Sequence, residues 1–511
     1  MFSCRKRHGF WLSLTHEILA LVFNTFVLLI AIIGLLLYWL PAIDDYKWLI
    51  EREVSAYVGN QVKIDKIRVN HGDGAPTWSL EGVHLIEANG DSPIHIKKLT
   101  LGFDWQESLR TLQPQPSLVN VEGVELVLRQ GKDIPDVKGL EFPLPGQQKS
   151  VINTTRQSPI RVQVKNGIVH WQGAKGHELT LDNTHFMGEF SDNTVLLQAQ
   201  TDFPADIGKQ LIIDANLRQQ AGEWQGQIHA AATIQHLEAL PHPRLAQLGF
   251  KRGGLIFDAH IQLEPQRTPQ FNAEGSLTHA VFSGTKSLPA IAPLTLEFKA
   301  SNDAGEVKAL IQQGAVNYPQ WFEKPIQLDK LQALLNWQRT PQGWQVNLID
   351  LQLSNRDARA QGTGQYLIKD NQKPYIDLAM QFATNRTVDN VRQYIPSIII
   401  DGTEAWLKTA IVQGYVPRGE FILQGDPSDF PFTHKPGVFD IRFDVEQGIL
   451  AYQPDWPVAK QVKGELRFHN AGMSGKVTSA KIMELDVTSG TVDIPDMLGV
   501  KTRLVINFLF K

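Results

Sequence analysis

Cysteine is nearly missing from this chain. Cys4 is the single one, and positions 5–511 have none. No disulfide can hold the chain together, so stability must come from hydrogen-bonded sheet and apolar burial. A charge excess is also missing: 49 basic and 53 acidic residues leave a net charge of -4. That excludes the basic footprint of a nucleic-acid binder. Long helical patterns are few, Ser- or Pro-rich linkers are lacking, and no repeat of about 20–50 residues suggests a propeller or solenoid. Chemistry-bearing motifs are lacking too. The 15 histidines are dispersed. His71-Gly72-Asp73-Gly74 reads as a turn, and Gly362-Thr363-Gly364 as a bend, since it lacks the third glycine and following helix of a nucleotide loop. Asp44-Asp45 reads as a topology signal or solvated linker, and His242 as part of a proline-fixed loop. His434 lies near Asp429 with no nucleophile at a recognisable spacing. The sequence therefore predicts no enzyme, no metal site and no cofactor.

What it does contain is one long apolar run, Ile18 to Leu40, with Leu29 near its middle. Its 23 residues carry no charge. At ~1.5 Å per residue they make a helix of roughly 35 Å, enough to span a ~30 Å hydrocarbon core. Arg5, Lys6 and Arg7 precede it, and Asp44 and Asp45 follow, which orients the N-terminus to the cytoplasm. A cleavable signal peptide would have a shorter apolar core and small residues at its end. Here the run closes on Tyr38 and Trp39, residues suited to a membrane interface. The expectation is an uncleaved single-pass anchor, with everything after Leu40 on the far side.

Next, Trp48, Leu49, Val54, Tyr57 and Val58 recur at near-helical spacing. They predict a short amphipathic helix over 46–58, lying on the bilayer or capping the first strands. Beyond it the period becomes two. Ile94 and Ile96, then Leu99, Leu101 and Phe103, form apolar rows. Val124, Leu126 and Leu128 form another, as do Leu294, Leu296 and Phe298, and Phe439, Ile441, Phe443 and Val445. Forty glycines and 28 prolines suit many turns. Turns are expected at Asn166-Gly167, Ala221-Gly222-Glu223, Pro341-Gln342-Gly343 and Gln447-Gly448. Candidate helices are few: Leu237 to Gly249, Val388 to Tyr394 and Thr403 to Val412. They cannot cover so many half-apolar strands, so the sheet either curls its apolar face into a trough or folds into sandwiches. The lack of linkers favours one long curled antiparallel sheet forming an open apolar groove. Trp344, Val346 and Leu348 differ in parity from Ile349, Leu351 and Leu353, which predicts a bulge near Asp350.

The most specific stretch runs from Val391 to Trp456. It reads as helix, helix, strand, loop, strand, with Trp406, Leu407, Ala410 and Ile411 on one helical stripe ended by Gly414, and Gly448 opening a later strand. Its motifs are Arg392-Gln393-Tyr394-Ile395-Pro396, Ala405-Trp406-Leu407, Asp429-Phe430-Pro431-Phe432 and Asp455-Trp456-Pro457. With the anchor and the Val58-Gly59-Asn60-Gln61-Val62-Lys63-Ile64 junction, they make the chain resemble the YhdP branch of the AsmA-like proteins, which also include TamB. The resemblance covers nearly the whole chain, strongly over 320–500 and weakly over 130–320.

That resemblance implies phospholipid transport between the inner and outer membranes of Gram-negative bacteria, along an apolar β-groove that shields acyl chains. It implies an inner-membrane protein with its bulk in the periplasm, phospholipid as partner, and other envelope proteins besides. The alternative is an envelope scaffold or assembly factor without lipid conduction. The organisation expected is a cytoplasmic 1–17, an anchor at 18–40, a juxtamembrane helix within 41–60, β-groove over 61–386 and a central segment over 387–511. Members of this branch are about twice as long or more, and the apolar ending Leu504 to Lys511 has no polar cap. A truncated chain is therefore expected.

Overall fold

The computed structural model describes residues 47–511, apart from 71–76, 130–135, 139–158, 174–177, 395–408, 498–502 and stretches of one to three residues. Among the described residues no helix is long and apolar enough to cross a membrane. The anchor expected at Ile18–Leu40 lies outside them, as do Asp44-Asp45, the His71 to Gly74 turn and His242. Strands dominate. They form one open sheet of 25 strands, and no pairing among the described residues joins its first strand to its last. The chain divides into two compact units.

The first unit comprises Met1–Pro241 and Leu255–Asn272. It opens with helix α1 (Lys47–Val58), then β1 (Gln61–Asn70), β2 (Thr77–Ile86), β3 (Ile94–Phe103), helix α2 (Trp105–Thr111), β4 (Pro116–Arg129) and β5 (Asp136–Val137). There follow β6 (Ile160–Gln172), β7 (Glu178–Phe190), β8 (Thr194–Asp202), β9 (Gly208–Gln220), β10 (Glu223–Ile234) and most of β11 (Phe250–Leu263). Successive strands pair antiparallel, with one exception: β6 lies parallel to β4. This departs from the antiparallel sheet the sequence predicts. Residues 130–159 separate the two strands, more than the dozen a parallel connection needs.

Helix α1 caps the first strands. Ile50 is 1% exposed and packs with Ile64, Trp78, Leu80 and Leu101. Glu51 Oε1 accepts from the Ile64 amide at 2.7 Å, and Ser55 Oγ accepts from the Val62 amide at 2.7 Å. The helix thus satisfies backbone donors of β1 that would otherwise face an apolar cover. Ile50 is not among the residues of the predicted stripe, of which Val54, Tyr57 and Val58 have side chains outside the described ones. Trp48 is 55% exposed, with the Arg52 guanidinium 5.5 Å from its ring centroid.

The strands of this unit change phase in mid-length. On β1 the apolar residues are Val62 and Ile64, then Ile67 and Val69; on β2 they are Trp78 and Leu80, then Val83 and Leu85. Left-handed residues sit at such breaks: Gly82 (φ 62°), Gly123 (φ 66°), Asn166 (φ 54°) and Asn183 (φ 50°). A left-handed residue inside a strand bends it and shifts the side-chain alternation by one. Asn166-Gly167 is therefore an interior bend of β6, not a turn between strands. The αL preference of Asn and Gly serves either purpose, and only pairing decides.

The second unit comprises His242–Gly254 and Ala273–Lys511. It holds helix α3 (Pro243–Gln247), most of β12 (Gln270–Ser283), β13 (Ala290–Ser301), β14 (Ala304–Asn317), β15 (Ile326–Thr340), β16 (Gly343–Ser354), β17 (Ala358–Lys369) and β18 (Tyr375–Thr384). Then come β19 (Ile411–Tyr415), β20 (Gly419–Gly425), β21 (Gly437–Leu450), β22 (Ala459–His469), β23 (Gly472–Ile482), β24 (Leu485–Ile494) and β25 (Val505–Phe510). From β13 onward neighbouring strands follow chain order, except that β18 pairs with β20, and β19 pairs with the far end of β21.

Several local expectations are corrected here. Gln447 (φ 54°) and Gly448 bend the interior of β21 and do not open a new strand. Ile411 already belongs to β19, paired with Leu450, so Gly414 stands in a strand bridged to Val388 and ends no helix. Of the helix expected over Thr403–Val412, residues 403–408 lie outside the described residues, Thr409 and Ala410 are helical, and backbone pairing to β21 takes over at Ile411. Among the described residues, the segment Leu237–Gly249 forms a 3-10 turn at Leu237–Ala239 and the short α3, and Val388–Tyr394 a 3-10 turn at Val391–Tyr394. Gly362-Thr363-Gly364 lies in the interior of β17. The hairpins at Ala221-Gly222 and Pro341-Gln342 form as expected. So does the bulge near Asp350: Leu334 faces Asp350 and Leu335 faces Leu348, leaving Ile349 as the extra residue.

Candidate functional site

Alternation along each strand gives two faces, and register decides whether those faces stay uniform from strand to strand. In the second unit they do. One transverse row runs Phe298, Val307, Leu335, Leu348, Gly364, Leu378, Leu423, Phe439, each opposite the next. A second runs Met380, Phe421, Ile441, Phe468, Met473, Ile494. Every member is apolar or glycine. The reverse face carries polar rows in these registers, with Leu334, Leu367 and Ile422 as apolar exceptions. Asn336, Asn347, Gln365, Asp377 and Gln424 form one row there. Asn347 Nδ2 donates to Asn336 Oδ1 at 2.8 Å, and Gln365 Nε2 donates to Asn347 Oδ1 at 3.1 Å. Further along, Arg467 Nε donates to Asp440 at 3.0 Å, and Arg442 pairs with Glu465. Burial pushes the Asp440 carboxyl up, but bonding to Arg467 and His469 outweighs it and holds the group below the usual range.

Glycines on the apolar face are covered by aromatic rings. Trp337 lies over Gly305, Phe382 over Gly419 and Phe508 over Gly490, each pair facing across neighbouring strands. The rings fill gaps that bare glycine leaves in a sheet surface. Toward β25 the face encloses a cavity of about 100 Å³, lined by Leu450, Val462, Val477, Val492 and Phe508 among others.

The first unit repeats the pattern. Val69, Trp78, Leu101, Val119, Val162, Gly188, Leu197, Ala215, Ile228 and Ile261 form a continuous row from β1 to β11. Its first members are buried under α1, with Trp78 and Leu101 4% and 1% exposed. From Leu197 to Ile261 the members are half-buried. The face thus passes from helix-covered to open within one unit.

The predicted lining residues fall on these faces. Val124 and Leu126 stand opposite Ile96 and Ile94, and Leu128 opposite Val137. Leu294 is buried, Leu296 faces Ala309 and Phe298 faces Val307. Phe439, Ile441, Phe443 and Val445 occupy the apolar side of β21, flanked by exposed Arg442 and Asp444.

The family-motif residues are mostly braces. The Tyr394 hydroxyl donates to Asp357 Oδ2 at 2.7 Å and accepts from Asn355 Nδ2 at 3.3 Å. Burial and the Asp357 carboxylate push its phenol up to about 12. Arg392 lies in the same 3-10 turn. Asp429 accepts from Lys373 Nζ at 3.0 Å. Phe432 is fully buried, and the Phe430 ring stands edge-on to Phe439 at 5.0 Å, next to Pro431. Trp456, just before Pro457, is exposed and edge-on to Tyr452. Pro396 and Trp406 lie outside the described residues.

One grouping escapes a linear reading. Dispersed in sequence, His229, Asp258 and His260 come together on the polar face of the first unit, with one donor atom from each within 4.8 Å of the others. The Asp258-Ala259-His260 spacing puts two of them on one side of a strand, but His229 joins only through the β10–β11 register.

The YhdP protein family matches residues 10–248 and 244–509 of this chain. A curated relative, the intermembrane phospholipid transporter YhdP of Escherichia coli (strain K12), is 22% identical over 254 residues. Those residues are 50% of this chain and 20% of the relative. The matched stretch therefore spans a fifth of that relative's length. No solved structure matches.

Proposed function

Because this chain belongs to the YhdP protein family, we propose that it carries phospholipids along the apolar face of its sheet, between the membranes of a Gram-negative envelope. The acyl chains lie against rows such as Met380, Phe421, Ile441 and Phe468, in an open groove, while headgroups stay in water. The segment Ile18–Leu40 anchors the protein in the inner membrane, and the bulk stands in the periplasm. The observation that carries this reading is the unbroken apolar register of each unit, backed by a mostly polar reverse face. Water-facing apolar area costs ~25 cal/mol per Å². An acyl chain relieves that cost at ~0.8 kcal/mol per CH₂, and equally at every strand, so it can slide. The protein is a carrier with no catalytic step, and direction comes from partners or from the lipid gradient.

A photo-crosslinker placed at Phe443 in cells should capture phospholipid. Capture of protein alone would favour the envelope scaffold and reject conduction at that position. Topology is tested separately through Cys4, the single thiol. An impermeant thiol reagent should leave it unlabelled in intact cells; labelling from outside would invert the orientation.

A further inference from the structure

The polar face of the first unit carries a group of side chains that lipid carriage does not use. His229 of β10 stands opposite Asp214 of β9 and His260 of β11. Asp258, two residues before His260, shares their side of the sheet. Its carboxylate bridges the two imidazoles: Oδ2 is 3.0 Å from His229 Nε2, and Oδ1 is 3.1 Å from His260 Nδ1. The rings stack with centroids 4.5 Å apart. Asp214 Oδ2 holds the other nitrogen of His229, Nδ1, at 3.3 Å.

These spacings suit a small cation. Zinc–ligand bonds of ~2.0–2.2 Å in a tetrahedron put neighbouring donor atoms ~3.3 Å apart. The Asp258–histidine distances are already near that value, so small side-chain rotations would set three donors around one ion. Two protonated imidazoles stacked this closely would repel each other. A metal lets both ligate as neutral rings. Asp214 on the far nitrogen of His229 is the carboxylate–histidine–metal arrangement that fixes a ligand's tautomer. His229 and His260 also border a depression of about 660 Å³ lined by Arg161, Gln163, Gln198 and others, through which solvent can reach the two imidazoles. Another stacked pair, His84 and His95, lacks this build: its carboxylate, Asp65, stands 4.0 Å from His84, beyond hydrogen-bond reach.

We propose that His229 Nε2, His260 Nδ1 and the Asp258 carboxylate form a zinc-class divalent metal site, with Asp214 orienting His229. Any proton held between His229 and Asp258 is released as the metal binds. The site would tie β10 to β11 through side chains, on the face opposite the apolar rows.

The test uses the full chain, purified in detergent and stripped of metal. Zinc titration against a chromophoric chelator near neutral pH should show a site that His229→Ala and His260→Ala each weaken by about tenfold or more. Asp258→Asn, which keeps size and hydrogen bonding, should weaken it comparably. Cobalt should give the intense visible bands of four-coordinate N/O ligation, and these should vanish in His229→Ala. Far-ultraviolet circular dichroism must match the wild type in every variant compared. Zinc binding that is absent, or unchanged in all three folded variants, or lost instead in His84→Ala, would overturn the proposal. None of these outcomes bears on lipid capture at Phe443, so the two readings fail independently.

Discussion

The Phe432 ring fills the space above Gly437, so that a Cβ added there would stand under 3.0 Å from the ring carbons. Gly437 faces Gly425 on β20, and the same ring crowds that position too. Both glycines have positive φ, 150° and 133°. The aromatic loop is thus seated in a slot that two paired glycines keep open.

Gly437→Ala should destabilise the second unit by about 1–3 kcal/mol, because neither ring nor backbone has room. Phe432→Ala should cost more, about 3–5 kcal/mol, by leaving a cavity. Urea unfolding followed by tryptophan fluorescence measures both. A Gly437→Ala midpoint equal to wild type would show that the slot is not tight.

The Asp357 carboxylate accepts from Tyr394 at 2.7 Å and from Arg386 Nε at 3.0 Å. Burial raises its pKa, but these partners outweigh burial and hold it below the usual ~3.9. A depressed folded value means the contribution is whole above the unfolded pKa and is lost as pH falls through the folded one. Tyr394 works the opposite way. Its value is raised to about 12, so its contribution is whole below the unfolded value of ~10 and is lost as pH climbs to about 12. Asp357→Asn should cost about 2 kcal/mol at neutral pH and flatten the acid limb. Tyr394→Phe should flatten the alkaline limb. Unfolding midpoints across pH check both; an unchanged acid limb in Asp357→Asn would refute the assignment.

Ile349 is the extra residue of the β16 bulge. Deleting it joins Leu348 to Asp350 and leaves regular alternation opposite Leu335 and Leu334. That deletion should cost within about 1 kcal/mol. Deleting Gln352 instead moves Leu353 to the polar face and should cost about 3 kcal/mol or more. Equal losses in thermal unfolding would contradict the bulge register.

Lipid carriage predicts a face-specific response to charge. A double change, Leu348→Asp with Met380→Asp, puts two carboxylates on the apolar face and should reduce co-purifying phospholipid about tenfold or more. Gln345→Asp with Gln381→Asp, on the reverse face, should leave it unchanged. Mass spectrometry of extracted lipid reads the difference. Equal lipid in both would sink the proposed route.

Much of the local structure was legible in the sequence. The helix over 46–58, the alternating rows and the bulge near Asp350 all show as changes of period. Helix α2 was missed, although Asp104 and Glu107 signal it. The Glu107 amide donates to Asp104 Oδ1 at 3.1 Å, as in a helix cap. Asn166-Gly167 and Gln447-Gly448 misled because a left-handed pair suits a turn and a strand bend equally well. Ile50 was overlooked on α1 because a short helix leaves the phase of its stripe poorly fixed.

The sequence by itself determined the two faces of each strand, since alternation is a local property written in every row from Val124 to Val445. It also determined that no disulfide supports the fold. Tertiary structure alone decided that the faces align from strand to strand, because register depends on partners far apart in the chain. It likewise placed β6 parallel to β4, seated Phe432 over Gly437, and brought His229 beside His260. Those are distances between segments, and no period within a segment encodes them.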